Sequence, residues 1–557
     1  MAMSSADLIL TGGTVRLLDP ASRAAEAIAI KGNRILAAGT AKEIAALAGP
    51  KTETIDVGGC TVIPGFNDAH AHMDREGLKS VRPSLAGACN VAEITARVAD
   101  AARKAKPGQW IVTMPIGERP FFFEGLKSIA EGRMPTRQEL DRAAPNNPVC
   151  ISAIFGNWSV PPGYTALNSE ALRLNGIDRN TKPKTSGVEI LRDDAGEPTG
   201  VIVESNPRPT IDNDLLLAVP RFTYEERRDA IVESMRMYNA VGTTSVYEGH
   251  GLAPRMLDAY RELRGQGKFN VRVGVVLSPV WQDLKEAGEA LRDWQAIARD
   301  YPETDPWLRL CGLHVAFGGD KATAALSRKS LPDTGWAGFV EQANDEAAFR
   351  DYAMLCAETN VRFNAIVHDN LERVVPILEE VARRHDLRGR RWVIQHIARS
   401  RREDLAALKR LDIFITTIPV YYLWKNGAKY LDERDSAYGV VPHKTMLDLG
   451  LPVASATDNI PYDPAFTLWA SAVREERTTG RVIGPDQCLS GEQTLRLLTV
   501  NGAGLTFEEN EKGPLLPGYL ADIAVLSDDP VTMPPARLRD LKCRLTIVDG
   551  RIVHRAI

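Results

Sequence analysis

The chain has 557 residues, 44% of them hydrophobic, with a formal net charge of −4. Length and apolar content suffice for a large buried core and favour more than one domain, so disorder is not the default. The nearly balanced charge gives no electrostatic footing for nucleic acid, and the short basic cluster Arg399 to Arg402 reads as a solvated helix start.

Seven cysteines, widely spaced and without a CxxC pair, read as free thiols of a reducing compartment. The opening MAMSSADLIL has no basic segment followed by an apolar run, and no stretch reaches the ~20 apolar residues of a membrane helix. The expectation is a soluble cytoplasmic protein with no membrane partner.

The first sixty residues read as short strands, LILTGGTVRLL, AIAIKGNRILAAG and TETIDVGGCTVIPG, broken at glycine turns. Next comes the run VIPGFNDAH, read as a first barrel strand. The segment from about 76 to 240 has another texture: a helical stretch VAEITARVADAARKAK, an aromatic patch at Phe121 to Phe123, and a hairpin SGVEILRDDAGEPTGVIVES. It reads as an insertion after that strand, placed to act as a lid or to supply substrate contacts.

From 241 onward short apolar runs alternate with helical patterns. Strands are expected at TTSVYEGH, FNVRVGVVL, LRLCGLHVAF, VRFNAIVH, RRWVIQH, DIFITTIP and LPVASATD, and helices at DEAAFRDYAMLCAETN, NLERVVPILEEVARRHDL and SRREDLAALKRL. A last helix opens at Ser490, which with Gln493 fits a capping box. Alternating strand and helix predicts an α/β fold, a (β/α)8 TIM-type barrel over residues 64–510. The C-terminus returns to strands, ADIAVLSDDP and CRLTIVDGRIVHRAI, with an Asp-Gly hairpin turn at 549 and 550. Residues 1–63 and 511–557 are therefore expected to form one composite β-sandwich.

Side chains two apart on a strand point the same way, so His70 and His72 can present two nitrogens to one metal ion. The HxH pair alone is a weak signal. It gains weight because His368 ends VRFNAIVH, His396 ends RRWVIQH and Asp458 ends LPVASATD, each after an apolar run of strand length. His314 shares a face with Gly312 and Ala316 and reads equally well as a ligand or as a buried histidine bonded to backbone. Glu204, and Glu248 with His250, are further candidates, the latter pair for a supporting role; His385, His443 and His554 read as surface residues. The chain has no GxSxG elbow, GxGxxG fingerprint or GxxxxGK loop, GGDKAT resembling the last only loosely, so metal-assisted hydrolysis is favoured over covalent catalysis.

PGFNDAHAH resembles the PGxxDxHxH opening of the amidohydrolase superfamily, VIQH its sixth-strand histidine segment and SATDN its eighth-strand aspartate. GPLLPGYLADIAVL looks like the family's return into the β-sandwich, and the long insertion with GIDRN and TGVIVES is similar to the branch of N-substituted formamide deformylase. The resemblance implies His70 and His72 as ligands from strand one, His368 and His396 from strands five and six, and Asp458 as both ligand and proton acceptor. Three places depart from the pattern: His314 stands where many relatives carry a bridging lysine, AIVHDN replaces HxxGD, and Gly156-Asn157 replaces a Gly-His pair. The implied cofactor is a divalent metal, zinc first, with one or two ions per chain.

The implied reaction is hydrolysis of a carbon–nitrogen bond in an amide, formamide, carbamate or urea, with a small molecule as the partner and a homo-oligomer as a further expectation. Phe122, Trp158, Glu204, Tyr421 and Trp424 are the candidate substrate contacts, favouring an aromatic or apolar substrate. The alternatives are a deaminase of an aminated heterocycle and a non-catalytic scaffold of the same fold.

Overall fold

The computed structural model describes residues 5–117, 122, 125–153, 161–206, 210–281, 283–300, 305–330, 338–340, 342–432 and 438–557. The chain divides into two compact units, one of Met1–Met73, Val232–Gly318 and Asn344–Ile557, the other of Asp74–Ile231 and Gly319–Ala343.

The first unit is built on eight parallel strands, β1 (Phe66–Ala71), β2 (Thr243–Leu252), β3 (Arg272–Leu277), β4 (Leu308–Ala316), β5 (Phe363–Ile366), β6 (Val393–Gln395), β7 (Phe414–Thr417) and β8 (Val453–Ser455), paired in chain order. Every residue of β2 and β3 is buried, as expected of parallel strands covered on both faces. The ring is sewn between its first and last strands. Just past β8, Thr457 N–H donates to the Asp68 carboxylate at 3.0 Å and Asp458 N–H to the His70 carbonyl at 3.0 Å. Burial pushes the Asp68 carboxyl up to about 6 against the hydrogen bonds from Thr457 and His70. The fold is thus a TIM-type barrel, and all eight runs read as barrel strands in the sequence form it.

Two of the strands stop short of the histidines that end their runs. β5 ends at Ile366 and β6 at Gln395, so His368 and His396 lie beyond the ladder. His368, His396, Asp458 and Asn459 all have positive φ, between 50° and 57°. For non-glycine residues this costs on the order of 1–3 kcal/mol each and is held only by surrounding structure. The left-handed turn lifts each side chain out of the strand's alternation.

The same unit carries three further sheets, the smallest a pair of Arg399–Arg401 and Tyr438–Val440. A four-stranded sheet runs in the order Arg34–Gly39, Ala27–Lys31, Leu8–Thr11, Glu53–Asp56. A six-stranded sheet runs in the order Arg551–Arg555, Cys543–Val548, Ile523–Leu526, Thr61–Pro64, Thr14–Arg16, Ala24–Ala25, and so mixes both ends of the chain. Leu10, Ile28, Ile30, Val62, Ile523, Val525, Leu545 and Ile547 form one buried cluster between them. The hairpin turn has φ 54° at Asp549 and 72° at Gly550, the left-handed pair a two-residue turn requires. The capping box of Ser490 and Gln493 is present at helix Gly491–Leu497.

The second unit holds a five-stranded sheet, Val188–Arg192, Pro198–Glu204, Gly163–Leu167, Val149–Ile151, Ile111–Thr113, whose first two strands are the hairpin seen in the sequence. Its helix Val91–Lys104 is N-capped by Asn90, which accepts from Glu93 N–H, and buries Val91, Ile94 and Val98. The described part of 319–343 includes helix Lys321–Ser330, where the sequence offered only GGDKAT. No helix of the described residues is long and apolar enough to cross a membrane, and all seven cysteines are free.

Candidate metal centre

Five side chains from four strand ends of the barrel converge, all of them buried. β1 supplies His70 and, one residue past its end, His72; β2 supplies His250; His396 follows β6 and Asp458 follows β8. The Nε2 of His70 lies 3.1 Å from Nδ1 of His250 and 3.1 Å from Nε2 of His396. His250 Nδ1 is also 3.1 Å from Nε2 of His72, which stands 2.8 Å from an Asp458 oxygen. One ligand atom from each of His70, His72, His250 and Asp458 lies within 4.8 Å of every other.

Neighbouring groups decide which nitrogens carry protons. Gln395 donates its amide N–H to the Gly249 carbonyl at 3.1 Å, so its Oε1 is left to accept from His70 Nδ1 at 2.5 Å. The His70 proton is thereby held on Nδ1, and Nε2 turns a lone pair on the cluster. Tyr422 does the same for two rings at once. Its hydroxyl donates to the His396 carbonyl at 3.1 Å and accepts from Nδ1 of His368 at 2.7 Å and of His396 at 3.1 Å. Burial drives the Tyr422 phenol well above its ordinary pKa, so it keeps its proton.

Two lone-pair nitrogens, His70 Nε2 and His396 Nε2, therefore face each other at 3.1 Å with their protons fixed elsewhere. Burial, then the neighbouring histidines His72, His70, His396 and His314, hold His250 well below the usual imidazole range, so it too is neutral. With the ring protons of His70 and His396 held on Nδ1, His250 neutral and His72 Nε2 set against the Asp458 carboxylate, nitrogen lone pairs and a carboxylate oxygen gather at one point. The donor set fits a divalent metal.

β2 reaches this cluster closely because residue 249 is glycine: a Cβ there would fall 1.9 Å from His70 Nδ1. The site also carries a buried lysine. Lys425 closes the π-helical turn Val420–Lys425, its Nζ 5.4 Å from the Tyr421 ring centroid, and burial lowers its ammonium to about 7. That ring stands 6.1 Å from the His396 ring.

Of the remaining residues singled out in the sequence, His314 is buried on β4, its ring 5.8 Å from that of His250, at the margin of the cluster. His368 stands beside His396, ring centroids 5.2 Å apart. Tyr421 lies against His396, and Trp424 packs on Phe466 with centroids 4.9 Å apart. Glu204 lies in the second unit, where its carboxylate accepts from Thr210 N–H at 2.6 Å and Thr210 hydroxyl at 3.0 Å, at the start of helix Ile211–Asp214. Phe122 is buried beside Gly117 in the same unit. Trp158, with Gly156 and Asn157, lies outside the described residues.

Read from its run alone, His250 has only a supporting part, whereas the structure puts it inside the cluster. The signal was there in EGH, a histidine at the end of β2. Gln395, Gly249 and Lys425 carried no comparable signal. His443, expected at the surface, is fully buried, Nε2 2.6 Å from the Thr417 hydroxyl, and burial drops its pKa to about 3.

Comparison with known proteins agrees with this geometry. The chain is 28% identical over 572 residues to N-substituted formamide deformylase of Arthrobacter pascens, covering 98% of this chain and 97% of that one. A metal-dependent hydrolase from Pyrococcus furiosus shares the fold with a TM-score of 0.64 at 20% identity, covering 94% of this chain and all of that one. Atrazine chlorohydrolase TrzN from Arthrobacter aurescens TC1, solved with zinc, aligns with a TM-score of 0.52 at 14% identity over 99% of this chain and 95% of that one. The model of the amidohydrolase family matches residues 53–554, nearly the whole chain, and with the barrel and its ring of imidazoles this places the protein in that family, as a metal-dependent hydrolase acting on carbon–nitrogen bonds.

Proposed function

We propose that the protein hydrolyses the C–N bond of a small amide, an N-substituted formamide first, using one zinc ion per chain held by His70, His72, His250 and Asp458, with His396 beside them. The observation that carries this reading is the set of inward lone pairs whose ring protons Gln395 and Tyr422 hold away from the centre. A bound divalent ion would supply Lewis acidity, polarising the carbonyl and lowering the pKa of water from about 15.7 toward ~7.

The chain's own part is proton transfer and positioning. Asp458, fixed through its backbone N–H on the His70 carbonyl, accepts a proton from the attacking water and returns it to the departing nitrogen. The water oxygen joins the carbonyl carbon, the C–N bond breaks, and a carboxylic acid and an amine leave. Tyr421 and Trp424, both only partly buried, offer rings to an aromatic substituent. The zinc in TrzN and the formamide substrate of the Arthrobacter pascens relative support the choice of ion and bond.

The test is a panel of N-aryl and N-benzyl formamides, amides, carbamates and aminated heterocycles, run beside elemental analysis. Amine and formate in equal amounts, one zinc per chain, and a fall in kcat of about 10²–10⁴-fold in Asp458→Asn are expected. Ammonia from a heterocycle with no amide cleaved would assign a deaminase instead, and two ions per chain would overturn the single-ion site.

A further inference from the structure

The opposite end of the barrel carries a cavity of about 550 Å³ that the hydrolytic centre does not use. It is lined by residues at or just before the starts of β4, β5 and β6, among them Arg309, Arg362, Arg390 and Trp392, and by Phe507. Among the described residues three guanidinium groups line it and no carboxylate does.

Their charges are not equally committed. Arg309 pairs with Glu508 at 3.2 Å, and Arg390 donates to the Ala357 carbonyl at 2.8 Å. Arg362 spends only its Nε, on the Arg391 carbonyl at 2.6 Å. Its Nη1 and Nη2 have no acceptor among the described residues and almost no accessible surface where they lie, so the guanidinium meets a ligand by turning into the cavity; the indole N–H of the fully buried Trp392 is likewise without a partner among those residues. A shielded guanidinium with its fork unfilled is costly, and a two-oxygen anion matches that fork. The group also lies over an aromatic surface: Cζ of Arg362 is 5.0 Å from the Phe507 centroid, and Phe507 is 50% exposed, held out at φ 58°.

We infer that this cavity binds a small molecule joining an oxyanion to a flat apolar body, an aryl carboxylate or aryl phosphate ester, with Arg362 taking the oxyanion and Phe507 the ring. The volume lies in the range of small-ligand sites. The inference stands apart from the hydrolytic reading, since it uses none of that centre's residues.

Calorimetric titration of the metal-loaded protein with 2-naphthoate and with 2-naphthyl phosphate distinguishes the two anions, and 2-naphthylmethanol is the neutral control. One or both anions should bind about tenfold or more tighter than the alcohol. Arg362→Met should weaken the anion at least about tenfold. Phe507→Ala, at an exposed ring the fold tolerates losing, should weaken it too, with metal content and hydrolysis unchanged in both. Equal affinity for anion and alcohol, or anion binding untouched in both variants, overturns the site. So does a wild-type chain that ignores the anions while Phe507→Ala dissociates an oligomer, because a second copy then covers the cavity.

Discussion

One phenol governs two imidazoles. Because the Tyr422 hydroxyl is spent on the His396 carbonyl, its oxygen accepts from both Nδ1 atoms and leaves both Nε2 lone pairs available. Tyr422→Phe keeps the ring in its buried cluster but frees both tautomers. It should lower metal affinity by about 10–100-fold, read as zinc lost to a competing chelator while near-UV circular dichroism is preserved. The histidines themselves were legible in the sequence because each ends an apolar run. Their supports were not: Gln395 meets His70 across 325 positions, and a buried glutamine in VIQH looks like any strand residue until the opposite strand is in place.

At the scale of elements, all eight barrel strands could be read from apolar runs, but not where they end. A run such as VRFNAIVH stays apolar after the ladder stops, and the positive φ at His368 is a property of the closed ring that no local preference announces. The composition of the second unit was partly hidden too. Gly319–Ala343 joins it from beyond β4, a long-range assignment that periodicity cannot supply. The approach of β2 to β1 gives a sharp test. Gly249→Ala would place a methyl group inside the His70 ring, so β1 or the imidazole must shift. Metal bound per chain should drop severalfold, while far-UV circular dichroism shows the barrel intact; undiminished metal binding would mean that β2 can yield instead.

For the whole molecule, stability should depend on pH through His443. Its pKa is about 3 when folded, against an ordinary 6.5, because burial and then Arg474 disfavour the charged ring. Above 6.5 both states are neutral at this site and the fold is unaffected. As pH falls from 6.5 toward 3 the unfolded chain takes up a proton that the folded chain refuses, so stability declines across that window. His443→Gln, which can still meet the Thr417 hydroxyl, should flatten the decline of the melting temperature between pH 6.5 and 4.5; an unchanged slope would place the loss elsewhere.

The seam of the barrel also sets a timetable. Thr457 and Asn459 meet Asp68 and His72 across 389 and 387 positions of chain. At the pace of synthesis that separation amounts to roughly 20–80 s. The two histidines of β1 leave the ribosome first and must wait that long for the aspartate that completes their cluster. Metal loading is therefore among the last events in the making of a new chain, because a chain interrupted before Asp458 has most of the imidazoles but neither the carboxylate nor the full seam that closes the ring.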